Sequence, residues 1–354
     1  MTSPSMTTSP HQASATPVLL LSVVVPVFNE EAVLGAFHER LSNVLDGLKM
    51  QWEIIYVNDG SRDATPELIR ELRRNSQNVA LVDLSRNFGK EIALTAGLDY
   101  ACGDAVVVID ADLQDPPELI PQLLEKWRDG YDVVSAVRSA RSGESWLKKL
   151  TAYGFYRVMS HVGLIAIPPD TGDFRLLSRR AVLALRRLRE RHRFMKGLFA
   201  WIGHRQTSVS YERDARHAGY SKWNYWKLWN FALDGISSFT TFPLKLATYV
   251  GLVAACGAFF YGLAIIWDTL VHGNPVPGYP SLLVAILFLG GIQLMSLGVM
   301  GEYLGRMFDE VKQRPLYFVA AYEPAQMTAH TSDELPVSPD DVDEIADLTR
   351  DRER

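Results

Sequence analysis

The chain has 354 residues, enough for a full α/β domain plus a smaller appendage. Asp and Glu total 41 against 36 Lys and Arg, a formal net charge of -5, so no global basic field argues for nucleic acid as a partner. Two cysteines in unlike settings, Cys102 and Cys256, argue against a disulfide, and eight histidines without ligand spacing give a zinc site no support.

Residues 1–17 are rich in Ser, Thr and Pro and nearly uncharged. They lack a basic start and an apolar centre, so they read as a disordered arm rather than a signal peptide. Val18 to Val27 predicts a strand ending at Pro26-Val27-Phe28-Asn29-Glu30, with Asn29 placed to cap a helix over 31–49. A second strand, 52–57, ends at Asn58-Asp59-Gly60-Ser61, a turn that opens another helix. A third unit runs from strand 79–84 through Ser85-Arg86-Asn87-Phe88-Gly89-Lys90 to helix 91–100.

Ala105 to Ile109 is a short β-branched run, the pattern of a parallel strand buried on both faces. It leads directly into Asp110-Ala111-Asp112-Leu113-Gln114-Asp115-Pro116-Pro117. In an extended segment, Asp110 and Asp112 share one face. Like charges that close repel unless a cation lies between them. A hard divalent ion with carboxylate and phosphate oxygens is the usual one, and Gln114 continues the alternation and could add an amide oxygen. A bare Asp-x-Asp is more commonly an acidic strand-to-helix turn, here with Asp115 capping the helix from Pro116. Its place beyond the carboxyl end of a buried strand favours a ligand site.

Helix 118–129 and strand 133–137, ending at Arg138, follow. Repeated strand, polar loop and helix imply a parallel sheet with right-handed crossovers and its polar loops on one edge. No Gly-x-Gly-x-x-Gly or Gly-Lys-Ser/Thr loop occurs, which argues against a dinucleotide fold or a P-loop.

Beyond Arg138 the chain turns basic and amphipathic through Lys149 and Arg157. Residues 170–175 read as a loop with two more acids, Arg179 to Arg193 as one helix with a basic face, and 205–211 as a strand. Arg216 and Lys222 lie in a flexible cationic loop. The aromatic stretch 223–243 then reads as an interfacial amphipathic segment. Residues 244–267 and 281–304 are each long enough to cross a hydrocarbon core of about 30 Å. The link between them carries no Lys or Arg, whereas both flanks do. The positive-inside rule therefore places both termini and the 18–222 domain on the cytoplasmic side of the plasma membrane. Residues 305–323 read as a juxtamembrane segment, and 324–354 as a disordered acidic tail.

The pieces ending at Glu30, Ser61, Gly89 and Pro117, together with Asp173-Phe174-Arg175, the 216–222 loop and Gly301-Glu302-Tyr303-Leu304-Gly305-Arg306, resemble glycosyltransferase family 2. They are most similar to its bacterial polyprenyl-phosphate glycosyltransferases of the O-antigen glucosylation type, relatives of dolichol-phosphate mannose synthase. The resemblance spans roughly residues 20 to 320, with Asn58 and Phe28 as departures where many relatives carry Asp and Tyr.

This resemblance implies an α/β fold of the GT-A (nucleotide-diphospho-sugar transferase) type with a C-terminal two-helix transmembrane hairpin. The implied activity is that of an inverting, metal-dependent hexosyltransferase. It would move a sugar, by preference glucose from UDP-glucose, onto undecaprenyl or another polyprenyl phosphate with Mg2+ or Mn2+. A homotetramer is also implied. Pro26, Phe28, Glu30, Val57, Asp59, Asp110 and Ala111 match positions lining the nucleotide-sugar pocket, although Glu30 can equally be a helix cap. Asp110, Asp112 and Gln114 are candidates for the metal. One aspartate could instead be the sole direct ligand, with the other on ribose or metal waters.

Arg138 and Lys149 are assigned to the lipid phosphate, with anionic headgroups an equal reading for Lys149, and Arg216 and Lys222 to the leaving diphosphate. Asp173 would orient the acceptor or act as base, or else pair with Arg175. Three rivals stand beside this reading. A processive polysaccharide synthase lacks support, because the Gln-x-x-Arg-Trp signature is absent. The same reaction could use GDP-mannose or a UDP-aminoarabinose derivative. The last is an inactive nucleotide-binding membrane scaffold.

Overall fold

Among the described residues, eight strands form one sheet in the order β7-β5-β6-β4-β1-β2-β3-β8. The computed structural model describes residues 19–138, 171–211, 242–272 and 278–326. The strands are β1 (Leu20–Val27), β2 (Gln51–Asn58), β3 (Val79–Leu84), β4 (Ala105–Val108), β5 (Val133–Arg138), β6 (Thr171–Ser178), β7 (Gln206–Tyr211) and β8 (Val319–Glu323). The helices are α1 (Leu34–Asp46), α2 (Thr65–Asn75), α3 (Lys90–Tyr100), α4 (Ile120–Arg128), α5 (Arg179–Arg186), α6 (Met195–Trp201), α7 (Phe242–His272) and α8 (Tyr279–Val311).

Successive strand residues point to opposite faces, so each central strand feeds two cores. Val23 and Val25 pack with Phe37, Leu41 and Leu123 on one side. Val24 and Val57 pack with Leu94, Val182 and Phe199 on the other. Helix α3 lies very close to the sheet, because a Cβ on Gly97 would collide with the side chains of Val24 and Val57.

Two strands depart from the expected all-parallel sheet. β6 is antiparallel to both β4 and β5, and β8 is antiparallel to β3. The segment read as a loop around Asp173 is thus strand β6. Phe174 and Leu176 fill one core and Leu177 the other, an alternation that Asp173 and Arg175 obscure in the sequence. The basic helix expected over 179–193 stops at Arg186, and a short helix, α6, follows. Two of the arginines in the expected helix, Arg179 and Arg186, turn into the domain. Arg186 donates to the Leu98 and Ala101 carbonyls, and Arg179 to Ala101. They satisfy acceptors around the C-terminal end of α3, the negative end of its dipole.

Helices α7 and α8 carry apolar side chains that are exposed along their length, and each is long and apolar enough to cross a membrane. After α8 the chain turns back and rejoins the sheet. The Phe318 carbonyl accepts from the Ser85 amide at 2.9 Å, β8 pairs with β3, and Glu323 meets Arg73 at 3.0 Å. The expected juxtamembrane segment therefore ends in an edge strand. Ala325, assigned to the tail from composition, is fully buried in the core.

Candidate functional site

Strands β1 to β4 run parallel, so their carboxyl ends share one edge. The antiparallel β6 starts at that edge, since Val108 of β4 pairs with Arg175. β8 enters there too, with Leu84 opposite Val319. The sheet thus gathers the loops after β1, β2, β3 and β4, the start of β6 and the chain returning from the apolar hairpin.

The loops are stitched to one another. Asn29, in left-handed backbone at φ 54, does not cap α1; its Oδ1 accepts from the Arg62 amide, and its own amide donates to Ser61 Oγ. The Glu30 amide donates to Thr65 Oγ1, and Glu31 accepts from the Ala64 amide. Gly60 sits at φ +66 with its backbone against Arg86 and Asn87, where a Cβ would clash with main-chain atoms. Asn58 donates to Asp83 at 2.7 Å. Between these loops lies a cavity of about 660 Å³ lined by Phe28, Asn58, Gly60, Asp83, Arg86 and Ala320 among others. Phe28 is 43 % exposed at its mouth. Pro26 and Val57 are register partners with buried side chains, so they shape the strand ends beneath the cavity.

Asp59 is buried, and its two carboxylate oxygens accept the amides of Phe88 and Gly89 at 2.7 and 2.9 Å. Burial raises its pKa, against the pull of those two amides. The residue therefore fixes the loop that leads into Lys90.

Lys90 opens α3, and its ammonium lies 2.6 Å from Asp110 Oδ2 and 2.5 Å from Asp173 Oδ2. Burial works against both carboxylates, but the outcomes differ. Asp110 rises despite Lys90, whereas Lys90 and Lys196 hold Asp173 below its ordinary value. The charge partner of Asp173 is thus Lys90. Arg175 instead donates to the Gly172 and Asp173 carbonyls and stacks 3.8 Å from the Phe199 ring centroid.

Strand β4 stops at Val108, and residues 111–113 are bent rather than extended. Leu113 adopts φ 59, and Asp112 Oδ1 accepts the Gln114 amide at 3.1 Å, an Asx turn. The strict alternation expected to carry Gln114 onto the face of Asp110 and Asp112 is therefore broken. Asp115 caps no helix; it accepts from the Tyr211 hydroxyl. Ala111 is buried and Asp112 exposed.

Gln114 Oε1 is buried without a hydrogen-bond partner, an acceptor suited to a donor or a cation. Among the described residues no group of three acidic, His or Cys side chains could hold a metal alone. Asp110 and Asp112 offer carboxylate oxygens and Gln114 an amide oxygen, the donor type of a hard ion that brings phosphate and water ligands with it rather than of an all-protein cage.

Lys90, Glu91 and Lys196 escaped the sequence reading of the site. The signal for Lys90 was its place at the end of a third polar loop on the same edge. The backbone of Arg138 ends β5 at this edge, since Val137 pairs with Thr171. Lys149, Arg216 and Lys222 lie outside the described residues, as do the interfacial segment 223–241, the arm 1–17 and the tail beyond 326.

The sequence profile of glycosyl transferase family 2 matches residues 22–186, and that of the GtrB C-terminal hairpin matches residues 242–307. An uncharacterized glycosyltransferase of Synechocystis is 57% identical over 300 residues, covering 85% of this chain and 94% of its own length. The chain belongs to glycosyltransferase family 2. A further relative of this family 2 chain is the SfII prophage-derived bactoprenol glucosyl transferase of Shigella flexneri. It is 52% identical over 299 residues, covering 84% of this chain and 97% of its own. A prophage bactoprenol glucosyl transferase homolog of Escherichia coli is 50% identical over 299 residues, with 84% and 98% covered. The family 2 match takes in β1 to α5, and the hairpin match takes in most of α7 and α8. The resemblance read from the motifs, the GT-A fold and the C-terminal hairpin all hold.

Proposed function

We propose that this family 2 glycosyltransferase moves glucose from UDP-glucose onto undecaprenyl phosphate, or a related polyprenyl phosphate, at the cytoplasmic face of the plasma membrane. One observation carries the reading. The acidic ends of β4 and β6 share a sheet edge with the strand that returns from the apolar hairpin. Sugar-phosphate chemistry beside a bilayer anchor suits an acceptor whose phosphate is in water and whose tail is in lipid. The relatives named bactoprenol glucosyl transferase, matched over nearly their full length, support the sugar and the acceptor.

In this reading the nucleotide occupies the cavity beside Phe28 and Asn58, over Pro26 and Val57. Glu30, Asp59 and Ala111 shape its walls. Asp110, Asp112 and Gln114 would hold a divalent cation, Mg2+ or Mn2+, which would supply charge neutralisation for the leaving diphosphate. The acceptor phosphate is anionic near neutral pH, so it needs positioning more than deprotonation. Asp173 orients it, Arg138 and Lys149 hold its oxygens, and Arg216 and Lys222 close over the diphosphate. The phosphate oxygen bonds to the anomeric carbon as the bond to UDP breaks on the opposite face. An α-linked donor then gives a β-linked lipid product.

The test incubates membranes holding the protein with undecaprenyl phosphate and radiolabelled UDP-glucose, GDP-mannose or UDP-aminoarabinose derivative, with and without a chelator. Label should enter the lipid phase from UDP-glucose alone and stop on chelation. Transfer from another donor overturns the assignment of glucose. Transfer from none of the donors supports the inactive-scaffold rival, and full activity of Asp112→Asn overturns the metal role of Asp112.

A further inference from the structure

The cation already present at the acidic edge belongs to the chain. Lys90 donates to Asp110 at 2.6 Å and to Asp173 at 2.5 Å, so one ammonium joins the end of β4 to the start of β6. Its main chain is pinned. Gly89 lies at φ +97, and Asp59 clamps the Phe88 and Gly89 amides just before it. Asp112 stands apart from this bridge, with an exposed side chain turned onto the Gln114 amide. Among the described residues, Asp110 alone of the three oxygen-bearing residues suited to a hard ion is engaged by a competing positive charge.

An ammonium offers three donors and no acceptor. It can hold two carboxylates at once, and it can release one while keeping the other. A divalent ion carried on a diphosphate brings two phosphate oxygens of its own, so it loses less than a bare ion when it must displace Lys90.

We propose that Lys90 is a positioning residue that occupies Asp110 until the nucleotide arrives. In the donor-free protein it excludes the bare divalent ion from Asp110. When the ion comes with the nucleoside diphosphate, Lys90 leaves Asp110 and stays on Asp173, so that ion and donor bind as one unit. This inference rests on the metal-assisted reading proposed above.

The experiment measures Mn2+ binding to the full-length protein from the electron paramagnetic resonance signal of free Mn2+, with and without UDP. Without UDP, Lys90→Gln should bind Mn2+ roughly tenfold more tightly than the unsubstituted protein, the effect of removing a competing charge-assisted hydrogen bond. Lys90→Arg, which keeps the charge, should stay within about twofold of the unsubstituted protein. Adding UDP should shrink the Lys90→Gln difference.

Equal affinities of Lys90→Gln and the unsubstituted protein without UDP, with Mn2+ still binding when UDP is added, overturn the competition and leave the metal-assisted reading intact. Failure of the unsubstituted protein to bind Mn2+ even with UDP overturns both. Should Lys90→Gln not fold, amine labelling of the unsubstituted protein decides. Mn2+ together with UDP should raise labelling of Lys90 severalfold over Mn2+ alone, read by mass spectrometry, and unchanged labelling overturns the inference.

Discussion

The Tyr211 hydroxyl donates to Asp115 Oδ1 over 2.5 Å, joining the last residue of β7 to the acidic loop after β4. Both side chains are buried. This contact sets where the chain leaves the sheet toward Arg216 and Lys222. Tyr211→Phe should cost about 1–3 kcal/mol, because a buried carboxylate loses a short donor. Thermal unfolding of the detergent-solubilised protein checks it, and an unchanged midpoint would refute the claimed coupling.

Asp59→Asn replaces two acceptor oxygens by one, so either the Phe88 or the Gly89 amide loses its partner. Stability should fall by about 1–3 kcal/mol. Because the loop delivers Lys90, kcat should fall by at least about tenfold as well. Steady-state kinetics of the purified variant read this, and a variant changed in KM alone would place Asp59 on the nucleotide rather than on the loop.

Glu91 provides a pH signature. Burial and then the neighbouring Asp173 charge push its carboxyl from 4.5 up to about 7, while its Oε2 accepts the Met195 amide at 3.2 Å. The folded protein therefore binds this proton more tightly than the unfolded chain does. The stabilisation is complete below about pH 4.5 and is lost as pH rises through 7. Glu91→Gln keeps an acceptor oxygen without the charge, so it should flatten the decline and be more stable than the parent above pH 7, by an amount on the order of 1–3 kcal/mol. Melting curves from pH 5 to 8 would show it.

Gly97→Ala puts a methyl group into Val24 and Val57 at the closest approach of α3 to the sheet. Overpacking there should cost about 1–3 kcal/mol, against the helix propensity gained. Adding Val24→Ala should restore part of the loss, a non-additivity that a double-mutant cycle measures.

The sequence carried the first half of this fold clearly. β1 to β4 are β-branched runs bounded by polar turns, and their predicted limits lie within a few residues of those observed. β6 was hidden because Asp173 and Arg175 interrupt its apolar alternation, and burial of Arg175 depends on Phe199, 24 positions away. β8 was hidden because pairing with β3 spans more than two hundred residues and a membrane hairpin. The paired acids of the site were legible from their place after a buried strand. Lys90 was not, since nothing local reveals that an ammonium at the start of α3 reaches strands β4 and β6 together.

The position of β8 sets an order on biosynthesis. The edge strand that covers β3 is translated after both apolar helices, so the sheet stays incomplete while the hairpin is still being made. Until then the nascent domain carries an unpaired border at β3, the kind of edge that invites association with other chains. Completion of the sheet thus waits on synthesis of the hairpin, and the strand that closes the border follows the end of α8.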